Sequence, residues 1–209
     1  MTRDAGSQFG TVYITLVSVL LGLALEDLVS IVRETEQRDP FVWLTAIFVV
    51  HIIMNAWIAY TSMAIRVHLE PHPWDALNVF VLSAAHFAIN SFVGTEAVPF
   101  LAAVGVYSLT AAVTVHSATL RGRRDPSLHF PADGFRSVIW LNLAAGVLFL
   151  AFAWLSSLEV ASRRLQLGFV AASIPYATLW LLLFWKGWQR GRRGEAASSA
   201  RREDGSPPT

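Results

Sequence analysis

The sequence predicts an all-α, polytopic membrane bundle, and two observations lead to this prediction. Hydrophobic residues make up 54% of the chain, charged residues only 15%, and the mean hydropathy is +0.48. A soluble domain of this size normally has about a quarter of its residues charged. The second observation is a succession of six apolar stretches, each as long as the roughly 20 residues that an α-helix needs to cross the hydrocarbon. Lipid cannot hydrogen-bond a bare backbone, so these spans must be helical.

The six spans are expected at residues 9–32, 41–65, 74–93, 97–118, 137–158 and 165–188. The connections between them are too short to hold a soluble module, so residues 1–189 should form one transmembrane domain. The first span follows a short polar start without a small-residue cleavage site, which argues against a cleaved signal peptide. Residues 190–209 are rich in Gly, Ser, Ala, Arg and Pro, a composition that predicts a disordered, basic cytoplasmic tail.

The distribution of basic residues predicts the orientation of the spans. With six crossings, twelve Lys and Arg residues lie on the side of the termini and four lie on the other side. Because Lys and Arg accumulate on the cytoplasmic side of a membrane, both termini are expected in the cytoplasm. The opposite side holds seven carboxylates, and such an acidic face concentrates cations. Fifteen arginines against one lysine suggest a GC-rich bacterial genome and therefore a bacterial inner membrane.

The first span carries a polar stripe. Its members are Thr11, Thr15, Ser18, Gly22 and Glu26, followed directly by Asp27. Steps of three and four residues place the stripe on one face of a helix. One interpretation is a pathway lining in which hydroxyl groups replace hydration water and the two carboxylates attract cations at the outer mouth. The other is tight helix packing, for which Gly, Ser and Thr are the usual interface residues in membranes.

The second and third spans repeat one motif, a histidine followed by an asparagine one helical turn later. These pairs are His51 with Asn55 and His86 with Asn90. Asn78 opens the third span, His116 ends the fourth and Asn142 begins the fifth, so a polar ladder across the membrane is conceivable. Three roles compete for the histidines: proton-sensing groups beside a pathway, structural hydrogen-bond donors between helices, and paired ligands of a heme.

The sequence contains none of the motifs that identify common classes of enzyme. The chain has no cysteine, which excludes disulfides, thiolate metal sites and cysteine nucleophiles. It also has no glycine-rich phosphate loop, no His-Glu-x-x-His pair and no Gly-x-Ser-x-Gly elbow. We therefore expect a protein that is not an enzyme and holds no metal or cofactor, with heme kept as an alternative.

The order of features resembles the bacterial six-span relatives of the lysosomal potassium channel. Phe9 through the run Tyr13-Ile14-Thr15-Leu16 resembles the pore-forming first helix of that family. The segment Trp74-Asp75-Ala76-Leu77-Asn78 is similar to the entry of its third span, and Tyr107 and Pro175 stand where comparable residues are expected. The Phe-Ser-Asp signature of the family is absent, and Phe9-Gly10-Thr11 stands in its place.

The resemblance implies a homotetramer whose four first helices surround a cation pore, with an apolar constriction at Ile14, Leu16 or Leu20. We therefore expect a potassium or proton channel, or a channel-like protein, whose partners are lipid, monovalent cations and further copies of itself, with no nucleic acid. Two alternatives stay open at this point. One is a membrane heme or redox protein that uses His51 and His86, and the other is a non-catalytic anchor or sensor subunit for a soluble protein.

Overall fold

The helices are long because apolar residues dominate the chain between its charged connections. A computed structural model describes residues 3–35, 39–66, 73–124 and 135–203, and all secondary structure in these ranges is helical. Six helices lie there: α1 (Arg3–Glu34), α2 (Pro40–Arg66), α3 (Pro73–Asn90), α4 (Ala97–Arg124), α5 (Arg136–Ser157) and α6 (Arg163–Glu203). The all-helical prediction is confirmed for this part of the chain.

Five helices of the described chain are long and apolar enough to cross a membrane. Their apolar segments are Thr11–Glu34, Pro40–Ser62, Ala97–Arg121, Arg136–Ser157 and Arg163–Lys186. In α3 the corresponding apolar segment is shorter and runs from Leu77 to Asn90. The helix α3 ends at Asn90, before the predicted limit of 93, because the chain there turns through Gly94, which has a φ of 73°. The protein is thus a helical, multi-pass membrane protein by length and composition.

The contacts between helices fix their directions. Tyr13 packs edge-on against Tyr60, with ring centroids 6.1 Å apart, and Trp57 lies beside Ser18, so α1 and α2 are antiparallel. The helices α2 and α6 run the same way, because residue 39 pairs with residue 163 and residue 55 with residue 177. The helix α1 therefore runs opposite to both α2 and α6.

The core of the bundle is apolar and rich in aromatic rings. Phe48 lies at its centre, edge-on to Phe100 and stacked on Phe149, with ring centroids 6.5 and 5.6 Å apart. Phe149 in turn meets Phe169 of α6 at 5.0 Å. Lipid is as apolar as these side chains, so it is close packing and ring contact rather than exclusion of water that hold the helices together.

The helices α4 and α5 approach each other closely at two glycines. A Cβ atom added to Gly105 would lie 2.7 Å from the Cγ of Leu150 and 3.1 Å from its backbone nitrogen. A Cβ added to Gly146 would lie 2.5 Å from the Leu109 side chain and 3.2 Å from the Gly105 carbonyl oxygen. Small residues allow two backbones to approach in this way, and the two glycines set where α4 and α5 cross.

The helix α6 is longer than its apolar segment. It continues to Glu203, whereas the composition predicted a disordered tail from residue 190. The added part contains Ala, Arg and Glu, which are strong helix formers, so it can extend a helix that the membrane segment has already nucleated. Pro175 lies inside α6 and removes one backbone donor from the helix. Residues 204–209 of the predicted tail lie outside the described residues.

Candidate functional site

The polar stripe of α1 lies on the outer surface of the protomer. Thr11, Thr15, Gly22 and Glu26 are exposed, and a Cβ added to Gly22 would meet no atom within 4 Å. Thr15 donates its hydroxyl to the carbonyl oxygen of Thr11 at 3.0 Å, as hydroxyls without an outside partner do in membrane helices. Thr15, Gly22 and Glu26 therefore lie on a face of α1 that the other described helices leave exposed.

Ser18 is the member of the stripe nearest to α2. Its hydroxyl oxygen accepts a hydrogen bond of 3.2 Å from the indole nitrogen of Trp57. The residue is half-buried, in contrast to its exposed neighbours on the stripe. Ser18 thus marks the edge where the exposed face of α1 meets the packed one.

Asp27 faces a different neighbour from Glu26, although the two are adjacent in the chain. The amide nitrogen of Asn90 donates to Asp27 Oδ2 at 3.0 Å and to the carbonyl oxygen of Ala24 at 2.6 Å. Successive residues of a helix point about 100° apart, so Asp27 turns to α3 while Glu26 stays outside. The two carboxylates, predicted together at one mouth, lie on different faces of α1.

His86 is held deep between α3 and α4. Its ring is fully buried, and Nδ1 is 2.6 Å from the carbonyl oxygen of Leu82. A carbonyl only accepts, so Nδ1 carries the proton and Nε2 is an acceptor. The ring lies edge-on to Tyr107, with centroids 4.8 Å apart. Among the described residues, neither His86 Nε2 nor Asn90 Oδ1 has a hydrogen-bond partner.

His51 lies in a different environment from His86. It is half-buried, and its Nδ1 is 2.8 Å from the carbonyl oxygen of Ile47 one turn earlier. The ring lines an apolar groove of about 370 Å³ between α1 and α2, together with Leu25 and Arg33. The two histidines proposed as paired heme ligands thus contact different helices, His51 beside α1 and His86 against α4.

The other polar residues of the predicted ladder are distributed over several helix contacts. Asn55 donates to the carbonyl oxygen of Ala177 at 2.9 Å and joins α2 to α6. Asn142 is buried and donates to the carbonyl oxygen of Val138 within its own helix at 2.9 Å. His116 is exposed on α4, and Asn78 is half-buried near the start of α3. The structure therefore does not bring these side chains together in one row.

A small, partly open pocket lies between α2, α3, α4 and α6, and sequence reasoning did not indicate it. Its volume is about 80 Å³, and its lining is apolar except for a few groups such as Asn55 and Thr114. The hydroxyl of Tyr176, which also lines it, donates to the carbonyl oxygen of Leu141. A space of this size holds a few water molecules where polar partners are present. The described residues contain no group of three potential metal ligands, here or elsewhere.

One polar contact outside the predicted site joins α2 to α6. The carboxylate of Asp39 accepts from the Arg163 guanidinium at 2.8 Å and from the backbone nitrogen of Phe41 at 2.8 Å. The same guanidinium lies 4.2 Å above the Phe41 ring. Asp39 is one of the seven carboxylates on the acidic side, and the sequence indicated no structural role for it. Its position directly before Pro40 was the missed signal, because Asp is favoured as a helix N-cap and Pro in the first helical turn.

No family model, curated protein or solved structure matches this chain. The function is therefore argued from the positions and chemistry of its own residues.

Proposed function

We propose that the protein is a homo-oligomeric channel for potassium or protons whose pathway runs between copies of the chain and is lined by the outward stripe of α1. The observation that carries this proposal is the position of Glu26, a carboxylate exposed on the outer face of an apolar helix. Thr15 and Thr11 lie on the same face three and four turns away along α1. A carboxylate above a row of hydroxyls is the chemistry that attracts a cation and partly replaces its water.

The low burial of α1 supports a pathway between copies rather than within one. Only 22% of its most apolar window is buried, the smallest share among the five spanning helices of the described chain. Val12 and Val19, which flank the stripe, are 64% and 54% exposed. A second copy packed on this face would bury the valines and leave the polar residues facing a common axis. The length from Thr11 to Glu26 is about 22 Å, most of the hydrocarbon thickness.

The energetic argument concerns the charge of Glu26. Placing an ionised carboxylate against lipid near the centre of a bilayer costs about 2.5–3.5 kcal/mol on insertion scales and more in other treatments. Glu26 lies inside the apolar segment Thr11–Glu34, so part of this cost applies. A water-filled axis between copies removes the cost.

The proposal includes the topology of the chain. All six helices cross the inner membrane of a bacterium, with both termini in the cytoplasm, as the positive-inside rule favours. The 18 residues of α3 extend about 27 Å, close to the hydrocarbon thickness of about 30 Å. Because the chain lacks cysteine, single cysteines at Thr95 and Arg124 can be tested with a membrane-impermeant maleimide in intact cells. We expect labelling at position 95 only, and labelling at 124 would overturn this topology.

The decisive experiment measures ion flux into liposomes that contain the purified protein, under opposed potassium and proton gradients. We expect Glu26→Gln to reduce flux at least severalfold, because it removes the charge that concentrates cations at the mouth. Glu159→Gln is the matched control, because Glu159 is an exposed carboxylate in the turn after α5, off the stripe. Equal flux in both variants would remove Glu26 from the pathway. No flux under any gradient would refute the channel proposal.

A second test locates the pathway on the surface of the protomer. Thr15→Cys places a thiol on the stripe, and Val106→Cys places one on the exposed face of α4, where the side chain is 55% exposed. A charged methanethiosulfonate reagent should block flux through the first variant and leave the second unchanged. Block of neither variant, with flux present, would place the pathway away from α1.

A further inference from the structure

A second groove, between α4 and α5, has features that the stripe of α1 does not explain. It is about 620 Å³ in volume and lies between residues 112–123 of α4 and residues 136–143 of α5. Its length along α4 is about 16 Å. The groove lies on the side of the close contacts at Gly105 and Gly146 that is nearer the end of α4 and the start of α5.

The lining of the groove changes from apolar to basic along its length. Val113, Ile139 and Leu143 form the apolar part, whereas Arg123 and Arg136 stand at the end. Both arginines are exposed, so their guanidinium groups are accessible at this end of the groove. A groove that is basic at one end and apolar along the rest is complementary to a molecule that is anionic at one end and apolar along the rest.

The position of the groove relative to the membrane identifies the kind of molecule. The basic residues belong to the last turn of α4 and the first turn of α5, at one end of the bundle. Trp140, which is 61% exposed, and His116 line the groove one to two turns deeper. Tryptophan prefers the level of the lipid headgroups, so the arginines lie at headgroup level and the apolar part at the level of the acyl chains.

We propose that this groove binds an anionic phospholipid, with the phosphate on Arg123 and Arg136 and one acyl chain along the apolar part between α4 and α5. Basic pockets between membrane helices at the headgroup level are suited to such lipids. Guanidinium groups pair well with phosphate, because their fork of donors matches its oxygens. The site is distinct from the stripe of α1, and it stands whether or not the protein conducts ions.

The test uses native mass spectrometry of the purified full chain, titrated with phosphatidylglycerol or phosphatidylcholine. We expect the wild-type protein to prefer phosphatidylglycerol, and Arg123→Gln with Arg136→Gln to lose about 25-fold in affinity for it. This figure assigns roughly a factor of five to each basic side chain near an anionic headgroup. The matched control is Arg124→Gln with Lys186→Gln, which removes two exposed cations outside the groove.

The control should keep its preference for phosphatidylglycerol within a few fold. An equal loss in both double variants would show general surface attraction and overturn the proposal, as would equal binding of the two lipids by the wild-type protein. Glycerophosphoglycerol, which has the headgroup without acyl chains, should not displace the lipid at equal concentration. Displacement by it would assign the site to free phosphate esters instead.

A second measurement does not depend on removal of the arginines. Leu120→Cys, labelled with a bimane fluorophore, reports from the groove, and Leu182→Cys reports from the exposed face of α6. In vesicles that contain brominated phosphatidylglycerol at low mole fraction, we expect stronger quenching at position 120 than at 182. The difference should disappear when the brominated lipid is phosphatidylcholine. Equal quenching at the two positions with both lipids would refute a specific site.

Discussion

The crossing of α4 and α5 predicts that a Gly→Ala substitution lowers the free energy of unfolding at Gly105 and raises it at Gly168. Gly105→Ala would place its Cβ 2.7 Å from the Leu150 Cγ and 3.1 Å from the Leu150 backbone nitrogen. The side chain can rotate, but the backbone can move only if the two helices separate by a few tenths of an ångström. Overpacking of this kind costs about 1–3 kcal/mol. Alanine has a higher helix propensity than glycine, which offsets about 1 kcal/mol of this cost. The variant should therefore be destabilised by up to about 2 kcal/mol.

Gly168→Ala is the matched control for this prediction. Gly168 lies within α6, and a Cβ added to it would meet no atom within 4 Å. The helix propensity of alanine is gained there without any overpacking, so this variant should be stabilised by up to about 1 kcal/mol. The propensity term cancels when the two variants are compared. The difference in their free energies of unfolding therefore isolates the packing cost at Gly105, about 1–3 kcal/mol.

The assay is reversible unfolding in mixed micelles, followed by far-ultraviolet circular dichroism at increasing mole fractions of sodium dodecyl sulfate. We expect the transition of Gly105→Ala below that of the wild-type protein and the transition of Gly168→Ala at or above it. Adding Leu150→Ala to Gly105→Ala should cost less than the sum of the two single losses, because the added methyl group and the Leu150 side chain compete for the same space. If Gly105→Ala unfolds together with Gly168→Ala, the close crossing of α4 and α5 is refuted.

Three further predictions concern single residues and use the same unfolding assay. Glu159 has a φ of 58° at the end of α5, so Glu159→Gly should stabilise the protein by about 1 kcal/mol, and a loss would refute strain there. Asp39→Ala removes a helix cap and the exposed ion pair with Arg163, so we expect a loss of about 1–2 kcal/mol, against little change for Glu96→Gln. Asn90→Ala leaves the Asp27 carboxylate without its amide donor and should cost about 1–3 kcal/mol, and an unchanged transition would contradict that bond.

The sequence predicted the helices well, because hydropathy and charge determine where a membrane segment begins and ends. The predicted second span, 41–65, differs from α2 by one residue at each end, and so does the fifth, 137–158, from α5. The third span was predicted to end at residue 93, three residues after the end of α3. Residues near this end are apolar, and hydropathy does not show where the backbone turns. The turn at Gly94 depends on its positive φ and on contact with Val42 and Thr35, which only the folded neighbours supply.

The candidate site was less predictable, because periodicity identifies a face of a helix and not what that face contacts. The stripe of α1 satisfied both the packing and the pathway interpretations, since both require small or polar residues at the same spacing. Glu26 and Asp27 are adjacent, and no sequence pattern separated the exposed carboxylate from the one bonded to Asn90. The His-x-x-x-Asn motifs look alike, yet Asn55 bonds to α6 and Asn90 to α1, because the neighbours of α2 and α3 differ.

The contrast between the two carboxylates of α1 bears on whether a single copy is the working unit. Asp27 has its partner within the protomer, so folding of one chain already satisfies it. Glu26, one residue earlier, is exposed on a surface that includes Val12 and Val19, where lipid would contact a single copy. In a single protomer, the ionised Glu26 side chain would be in contact with lipid, which costs free energy. In an assembly through α1, the same side chain would face water instead. In the proposed function, this face is the one through which copies associate, so the proposed pathway and the proposed oligomer depend on one surface.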